Sequence, residues 1–323
     1  MPPEGLFLQR SKRAGQVLME FGIGIALILE IVLFAILSPY FFTSENILNV
    51  TLQISITAII AVGMTFVILT EGIDLSVGAL VALSGVVATS VLKLDMPLPA
   101  LFPLAILGGL LIGALSGVIA GIFITRFNIA PFIITLALMT ISRGTSYMYT
   151  DGRPVWGLPE SFSFIGNGRI LALPIPTIIM IIVYIAAYVV LKHTRFGRHV
   201  YAVGGNKEAS RLAGINANAV LIRVYVICGT LAAMSGVLLA SRMNSGQPNS
   251  GLMYELDVIA AVVVGGTSLQ GGRGSIIGTF LGALLIGVLR NGLNLMNVNS
   301  YVNQVIVGFV ILLAVLLDQI RKR

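Results

Sequence analysis

The stretch "ILTEGIDLSVGAL" (residues 68–80) places two carboxylates inside an otherwise apolar sequence. Apolar residues run up to Thr70 and resume at Leu75, with Glu71 and Asp74 between them. Three interpretations compete: a loop between two membrane helices, a helix broken within the membrane, or a catalytic pair of carboxylates. The choice among them affects both the fold and the function that the rest of the chain predicts.

The composition predicts an integral membrane protein. Of the 323 residues, 57% are hydrophobic and only 10% are charged, and the mean hydropathy is +0.98. A soluble domain carries roughly a quarter charged residues because water must cover its surface, so most of this exterior is expected to contact membrane lipid. The apolar runs reach about twenty residues, the length of a helix that crosses a membrane, whereas a membrane barrel alternates in segments of about ten.

The apolar runs predict an all-α polytopic fold in which residues 1–323 form a single transmembrane domain. The eighth run, "DVIAAVVVGG" (257–266), is too short to cross and precedes the glycine-rich "TSLQGGRGS", so a short or broken helix is expected near 257–275. About ten transmembrane helices are predicted, at 22–39, 50–70, 74–92, 99–124, 130–149, 174–191, 220–240, 257–265, 276–290 and 301–317.

The distribution of Lys and Arg predicts that both termini are cytoplasmic. With the N-terminus inside, the inner segments carry 13 of the 20 basic residues and the outer segments carry five. This asymmetry follows the positive-inside rule. Residues 1–20 lack a cleavable signal and become a cytoplasmic segment. Residues 192–219 form the longest cytoplasmic loop, and residues 150–173 form an external loop, in which Trp156 is either an interfacial anchor or part of a docking surface.

A stripe of glycines marks a close helix contact. Gly109, Gly113, Gly117 and Gly121 recur every fourth residue on one helical face. Small residues at this spacing let two helix backbones approach closely in lipid. Packing against another helix is the preferred interpretation, and a groove for lipid or substrate is the alternative.

The polar residues exclude several kinds of site. Cys228 is the only cysteine and the two histidines lie among cations, so neither a metal nor a cofactor is expected. Most basic residues stand beside helix ends, which indicates membrane topology and no nucleic-acid partner. The stretch "GGTSLQGGRGS" (265–275) lacks the Gly-Lys-Ser/Thr ending of a phosphate-binding loop, so ATP chemistry is not encoded in this chain.

The residues around the two carboxylates of the opening stretch argue against a catalytic pair, and a loop and a helix break remain as the alternatives. Gly72 makes a continuous helix through Glu71 and Asp74 improbable, and Asp74 precedes "LSVGALVALSG" as an N-cap would. We therefore expect Asp74 to cap a helix that begins at Leu75, with substrate contact as the alternative. The candidate residues of a helix break or translocation pathway are Glu71, Asp74, Ser76, Gly265, Gly266, Thr267 and Ser268.

The cytoplasmic loop contains the most informative polar motif, "NKEASRLAGIN" (206–216). As a short helix it places Leu212 on one side and Glu208 with Arg211 on another. It is either a solvated loop helix or a lever pressed into a cytoplasmic partner. The candidate coupling residues are Gly205, Asn206, Glu208, Ala209, Ser210, Arg211, Leu212 and Gly214.

This motif resembles the E-A-A-x-x-x-G coupling loop of permease subunits in binding-protein-dependent ABC importers, with Ser210 replacing the second alanine. Three stretches are similar to the ribose-type sugar permease family: "GIDLSVGALVALSG" (72–85), "RFGRHVYAVGGNKEASRLAGIN" (195–216) and "YELDVIAAVVVGGTSLQGGRGSIIGTFLGALLIG" (254–287). The resemblance extends from about Pro39 to the end of the chain.

The resemblance implies a multi-pass permease in the inner membrane of a prokaryote, which is not itself an enzyme. Its expected partners are a second permease subunit (identical or a close paralogue), a cytoplasmic ATPase and an extracytoplasmic sugar-binding protein. The expected cargo is a monosaccharide, ribose or a related pentose or hexose. The alternative is an ion-coupled secondary transporter that uses Glu30, Glu71 and Asp74 as coupling sites, and it leaves the E-A-S-x-x-x-G loop unexplained.

Overall fold

The computed structural model describes residues 22–320, so the predicted cytoplasmic segment 1–20 and the basic residues 321–323 lie outside its described part. Each of the ten predicted spans overlaps one helix, and three short helices and a small hairpin lie between them. The helices are α1 (Gly22–Leu37), α2 (Ser44–Leu69), α3 (Val77–Val91), α4 (Leu98–Arg126), α5 (Pro131–Thr150), α6 (Glu160–Asn167), α7 (Ile175–His193), α8 (Arg195–Gly205), α9 (Lys207–Leu212), α10 (Ala217–Met243), α11 (Tyr254–Val264), α12 (Ile276–Leu295) and α13 (Ser300–Ile320), and the hairpin pairs β1 (Arg169–Ile170) with β2 (Leu173–Pro174).

Five of these helices, α2, α4, α7, α10 and α12, are both long enough and apolar enough to cross a membrane. The outer side of α4 carries Leu107, Leu111 and Leu115, each more than half exposed, as expected of a surface that contacts lipid. The structure therefore confirms an all-α polytopic membrane protein. The number of ten crossing segments stays a prediction.

Helices α2 and α10 form the centre of the bundle and are the most buried of the five. Hydrogen bonds join them to each other and to α12 inside this apolar core. The Ser235 hydroxyl donates to the Ile56 carbonyl oxygen at 3.0 Å, and the hydroxyls of Thr65 and Thr279 are 2.7 Å apart. Such bonds matter in lipid, where apolar burial alone does not drive helices together.

The predicted glycine stripe packs α4 against α10, which confirms helix packing over a lipid or substrate groove. At the closest point, a Cβ atom built on Gly113 would overlap the carbonyl oxygen of Gly229, and one built on Gly229 would overlap that of Gly113. Gly117 lies against the backbone of Tyr225 one turn further along. Only hydrogen atoms fit between the two backbones, so dispersion contacts between main-chain atoms hold this crossing.

The predicted external loop 150–173 is folded against the bundle. Helix α6 buries Phe162 completely, and the Phe162 ring stacks on Phe102 of α4 with ring centroids 6.4 Å apart. The Asn167 side chain donates to the Arg242 carbonyl oxygen at 2.9 Å, at the C-terminal end of α10. Trp156 is exposed, which fits either the anchor or the docking surface.

Two alanine substitutions on α4 test the contact between α4 and α10. Gly113→Ala forces two backbones apart, and overpacking of this kind costs about 1–3 kcal/mol, so the midpoint of thermal unfolding in detergent should fall. Gly108→Ala is the matched control, because its Cβ would meet Val87 and Val91 at an ordinary 3.8 Å. Equal midpoints for the two variants would contradict the close crossing.

Candidate functional site

Three segments that are distant in sequence meet at one end of the bundle, and we call this place the junction. They are the C-terminal end of α2 at Leu69, the end of α8 at Gly204 and Gly205, and the loop 271–274 between α11 and α12. The predicted coupling segment and both predicted helix breaks therefore touch one another. The α4–α5 loop reaches the same end, since Asn128 lines a cavity there together with Glu71 and Lys207.

The carbonyl oxygen of Leu69 is the centre of the junction. The Gly272 N–H donates to it at 2.9 Å, and a Cβ atom built on Gly204 would overlap it. Gly271 and Gly272 have φ of +74° and +69°, in the left-handed region that side chains other than glycine rarely adopt. The glycines predicted to break a helix thus supply a turn that satisfies the last turn of α2.

Tyr201 adds a second link between α8 and the glycine-rich loop. Its hydroxyl donates to the Gly274 carbonyl oxygen at 2.9 Å. Partial burial raises the pKa of the Tyr201 phenol, so it stays protonated and keeps this donor. Helix α8 is therefore held to the loop through both its backbone and a side chain.

The coupling segment forms the predicted short helix, α9. The Asn206 side chain caps it by accepting from the Ala209 N–H at 2.8 Å, and Glu208 pairs with Arg211 at 3.4 Å on its exposed surface. Leu212 is 85% exposed, whereas Ser210 is buried. The helix thus presents an apolar side chain beside two charges to whatever lies beyond this end of the bundle.

Glycine residues bound the coupling segment. Gly214 has φ of +83°, and the Ile215 N–H donates to the Ser210 carbonyl oxygen at 3.0 Å, which ends α9 in a left-handed turn. A Cβ atom built on Gly205 would meet no other atom within 4 Å, whereas one built on the neighbouring Gly204 would overlap the Leu69 carbonyl oxygen. Helix α9 therefore projects from the junction between two permissive positions.

The expected role of Asp74 as an N-cap at Leu75 is wrong. Helix α3 begins at Val77 and its N-cap is Ser76, which makes no capping bond with its side chain. The Asp74 carboxylate accepts from the N–H of Ser76 at 2.9 Å and from its hydroxyl at 2.6 Å. Such a bond to the residue two positions on shapes a turn rather than a helix end, and it delays the start of α3.

The segment 70–76 turns back into the bundle. Glu71, with φ of +63°, leaves α2 at the junction, whereas Asp74 is 1% exposed and lies beside Cys228 and Tyr225 of α10. Cys228 packs on Gly63, which precedes Leu69 by six residues, or about 9 Å along α2. The opening stretch is therefore a helix break that starts at the junction and re-enters the protein interior.

The remaining candidate residues, 265–268, begin the glycine-rich loop. Gly265 lies against the backbone of Gly278 in α12, and Gly266 has φ of +85°. Thr267 and Ser268 are buried, and the Ser268 N–H donates to the Arg273 carbonyl oxygen at 2.8 Å. These residues hold α11 and α12 as a tight hairpin. Gly265 to Ser268 therefore connect α11 to the part of the loop that belongs to the junction.

Comparison of the sequence with known proteins identifies a family of transport proteins. Residues 46–315 match the family model described as branched-chain amino acid transport system / permease component. The chain belongs to this family of transport permeases. Among curated proteins it is 49% identical over 305 residues to the ribose import permease of Escherichia coli K12, covering 93% of this chain and 94% of that one. It is 48% identical over 306 residues to the Bacillus subtilis ribose import permease, covering 94% of each chain.

A third relative is the L-arabinose ABC transporter permease of Azospirillum brasilense, 39% identical over 295 residues, which cover 90% of this chain and 86% of the relative. No solved structure matches. The resemblance to ribose-type permeases that three stretches of the sequence indicated is confirmed. The similarity covers nearly the whole length of this permease.

The sequence interpretation missed a set of ionisable residues inside the bundle, away from the junction. Asp257 pairs with Arg290 across α11 and α12. Arg143 of α5 donates to the carbonyl oxygens of Pro248 and Ser250 at 2.9 and 2.6 Å. Glu255 carries a carboxylate that lies against Gly78 in the first turn of α3. The available signal was the presence of charges inside apolar runs, as in "YELD" (254–257).

Adjacent glycines allow a sharp test of the junction. Gly204→Ala would push a methyl group into the Leu69 carbonyl oxygen and the Gly272 N–H, whereas Gly205→Ala adds one in open space. We expect Gly204→Ala to lower the unfolding midpoint and to reduce transport by the assembled transporter, with an overpacking cost of about 1–3 kcal/mol. Gly205→Ala should behave like the unmodified protein. Wild-type stability and transport in Gly204→Ala would contradict the junction.

Proposed function

We propose that this chain is the membrane-spanning permease subunit of an ATP-driven importer that carries a monosaccharide, ribose or a related pentose or hexose. The observation that carries the proposal is the junction, where an exposed coupling helix is joined directly to both helix breaks of the membrane domain. The relatives from E. coli and B. subtilis are ribose import permeases, and the relative from A. brasilense is an L-arabinose ABC transporter permease, which supports both the cargo class and the energy source.

In this proposal a cytoplasmic ATPase subunit binds α9. Leu212 enters an apolar cleft of the ATPase, and Glu208 and Arg211 orient it, since charges at a partly exposed interface fix register more than affinity. Movement of α9 passes through Gly204 to the end of α2 and to the glycine-rich loop. At both places a helix of the membrane domain gives way to a turn, so the push acts where the backbone can bend.

The other proposed partners are a second permease subunit, identical or closely related, and an extracytoplasmic sugar-binding protein. The hairpin β1–β2 offers one contact for the binding protein. Leu171 at its tip is 94% exposed, and its φ of +49° together with +68° at Ala172 forms a tight turn that holds it outward. An exposed apolar side chain fixed in this way, in the same loop as the exposed Trp156, is typical of a docking surface.

An ion-coupled transporter is not favoured. It would need Glu30, Glu71 and Asp74 to bind and release ions, yet these residues occupy different surroundings. Glu71 is exposed at the junction, while the Asp74 carboxylate is enclosed and bonded to Ser76. Nor does that mechanism give a role to the exposed coupling helix.

Reconstituted transporters test the energy source and the lever together. Complexes of the permease, its ATPase and its binding protein, in vesicles whose ion gradients are collapsed by ionophores, should still accumulate ribose when ATP is supplied. Leu212→Asp drives a charge into an apolar contact, so we expect the ATPase to bind about tenfold more weakly or worse, with ATP-dependent uptake falling in parallel.

Leu171→Asp is the matched control, because it makes the same change at an exposed leucine on the proposed external surface. It should leave ATPase binding unchanged. Uptake that vanishes with the ion gradient would contradict the importer. Unchanged ATPase binding by Leu212→Asp would show that the ATPase docks elsewhere.

The proposed orientation places both termini and residues 192–219 in the cytoplasm, with residues 150–173 outside. In support, the two segments lie at opposite ends of α10. The Val155 N–H donates to the Gly246 carbonyl oxygen just beyond the C-terminal end of α10, whereas the coupling segment directly precedes its N-terminal end. Alkaline phosphatase fused after Gly157 should be active and fused after Gly214 inactive, because this reporter folds only outside the cytoplasm. Equal activity of the two fusions would overturn the orientation.

A further inference from the structure

A polar cavity of about 160 Å³ lies between α2, α11 and α12, and it extends from the middle of the bundle away from the junction. Its polar lining consists of Gln53, Thr57, Arg242, Tyr254, Asp257 and Arg290. Arg242 places the cavity next to α6, because the Arg242 carbonyl oxygen accepts from Asn167. The cavity therefore extends toward the end of the bundle that we propose faces outward.

An ion pair forms one wall of this cavity. Asp257 is 5% exposed and its carboxylate bonds to the guanidinium of Arg290. Taking an ion pair out of water is costly, and a pair of apolar side chains would join α11 and α12 at least as well. Charged groups inside a membrane segment are therefore expected to have a function beyond packing.

The ion pair also has unused hydrogen-bonding capacity. The Nε atom of Arg290 is buried and has no hydrogen-bond partner among residues 22–320. A buried donor without a partner destabilises the protein, and a bound molecule that accepts from it would recover part of that loss. A packed structural ion pair would instead be expected to satisfy all of its donors.

The chemistry of the lining favours a neutral molecule rich in hydroxyl groups. The cavity offers a carboxylate acceptor, guanidinium donors, the Gln53 amide and the Tyr254 phenol in a small space, a set that matches hydroxyls that both donate and accept. Asp257 and Arg290 balance each other and Arg242 adds a single positive charge, so most of the lining recognises a solute through hydrogen bonds to hydroxyl groups. The cavity also has an apolar wall, which is closed where Ile54 of α2 packs directly on Gly287 of α12. The remaining space suits a small ring.

We propose that this cavity is a monosaccharide-binding subsite on the import route, occupied after the sugar leaves its external binding protein and before the junction moves. The proposal rests on the function proposed above. It assigns Asp257 and Arg290 to direct contact with the sugar, and Gln53 and Tyr254 to positions around its ring.

The first experiment removes both charges at once. The double variant Asp257→Asn with Arg290→Gln leaves no unpaired buried charge and should therefore fold. In reconstituted complexes we expect ribose uptake to fall roughly tenfold or more while basal ATP hydrolysis is kept, because hydrogen bonds to charged groups contribute about 1.5–3 kcal/mol each. The matched control, Asp151→Asn with Arg153→Gln, changes two exposed residues of the 150–173 loop and should transport like the wild type.

The second experiment separates sugar contact from a purely structural role. The native Cys228 is fully buried, so the exposed Gln53→Cys supplies the reactive thiol in permease held in nanodiscs. Ribose should slow its reaction with a small methanethiosulfonate reagent, and ribonate should not. Ser161→Cys, exposed on α6, is the control that ribose should leave unchanged.

Each result decides the proposal. Wild-type uptake by the double variant overturns the subsite while leaving the importer intact. An absence of ATP-dependent uptake by the unmodified complex instead overturns the proposed function. Lost uptake without ribose protection of Gln53→Cys makes the ion pair a structural link only, and an unreactive Gln53→Cys means that solute does not reach the cavity. Stronger protection by ribonate assigns the cavity to anions, contrary to the proposal.

Discussion

The hydrogen bond from the Gly272 N–H to the Leu69 carbonyl oxygen is the interaction on which the rest of the structure depends. The last carbonyls of a helix have no partner within it, and Leu69 is completely buried, so water cannot replace one here. Here the missing partner comes from the loop between α11 and α12, and Gly204 of α8 packs on the same oxygen. The end of α2, the most buried of the five long helices, is thereby satisfied only when the glycine-rich loop is in place, and the end of α8 packs on the same atom.

Much of this arrangement could be predicted from one-dimensional patterns. Long apolar runs located the helices, the four-residue glycine spacing identified the face of α4 that meets α10, and the glycines of 265–275 identified the break after α11. These features follow from local chemistry, since helix length, backbone approach and left-handed turns each need particular residue types. The short coupling helix was predictable for the same reason, because Asn206 caps it and Gly214 ends it.

What the sequence did not reveal depends on long-range proximity. Asp257 and Arg290 are 33 positions apart, and no periodicity indicates that they face each other. Asp74 looked like a helix cap because it precedes a helix by a few residues, yet its partner is the backbone and hydroxyl of Ser76 within a turn. The fold of residues 150–173 was missed because a short helix with a single fully buried side chain, Phe162, resembles a loop in composition. Tertiary packing decides each of these three features.

The contact between Gly113 and Gly229 limits how the molecule can move. Side chains that interlock can exchange rotamers and let two helices slide, but here backbone meets backbone, with no rotamer to change. Helices α4 and α10 should therefore travel as one rigid lever arm, with α3 attached through Gly85 against Gly236. A change of conformation should then leave this block intact and take place where it meets other helices, such as α11 and α12.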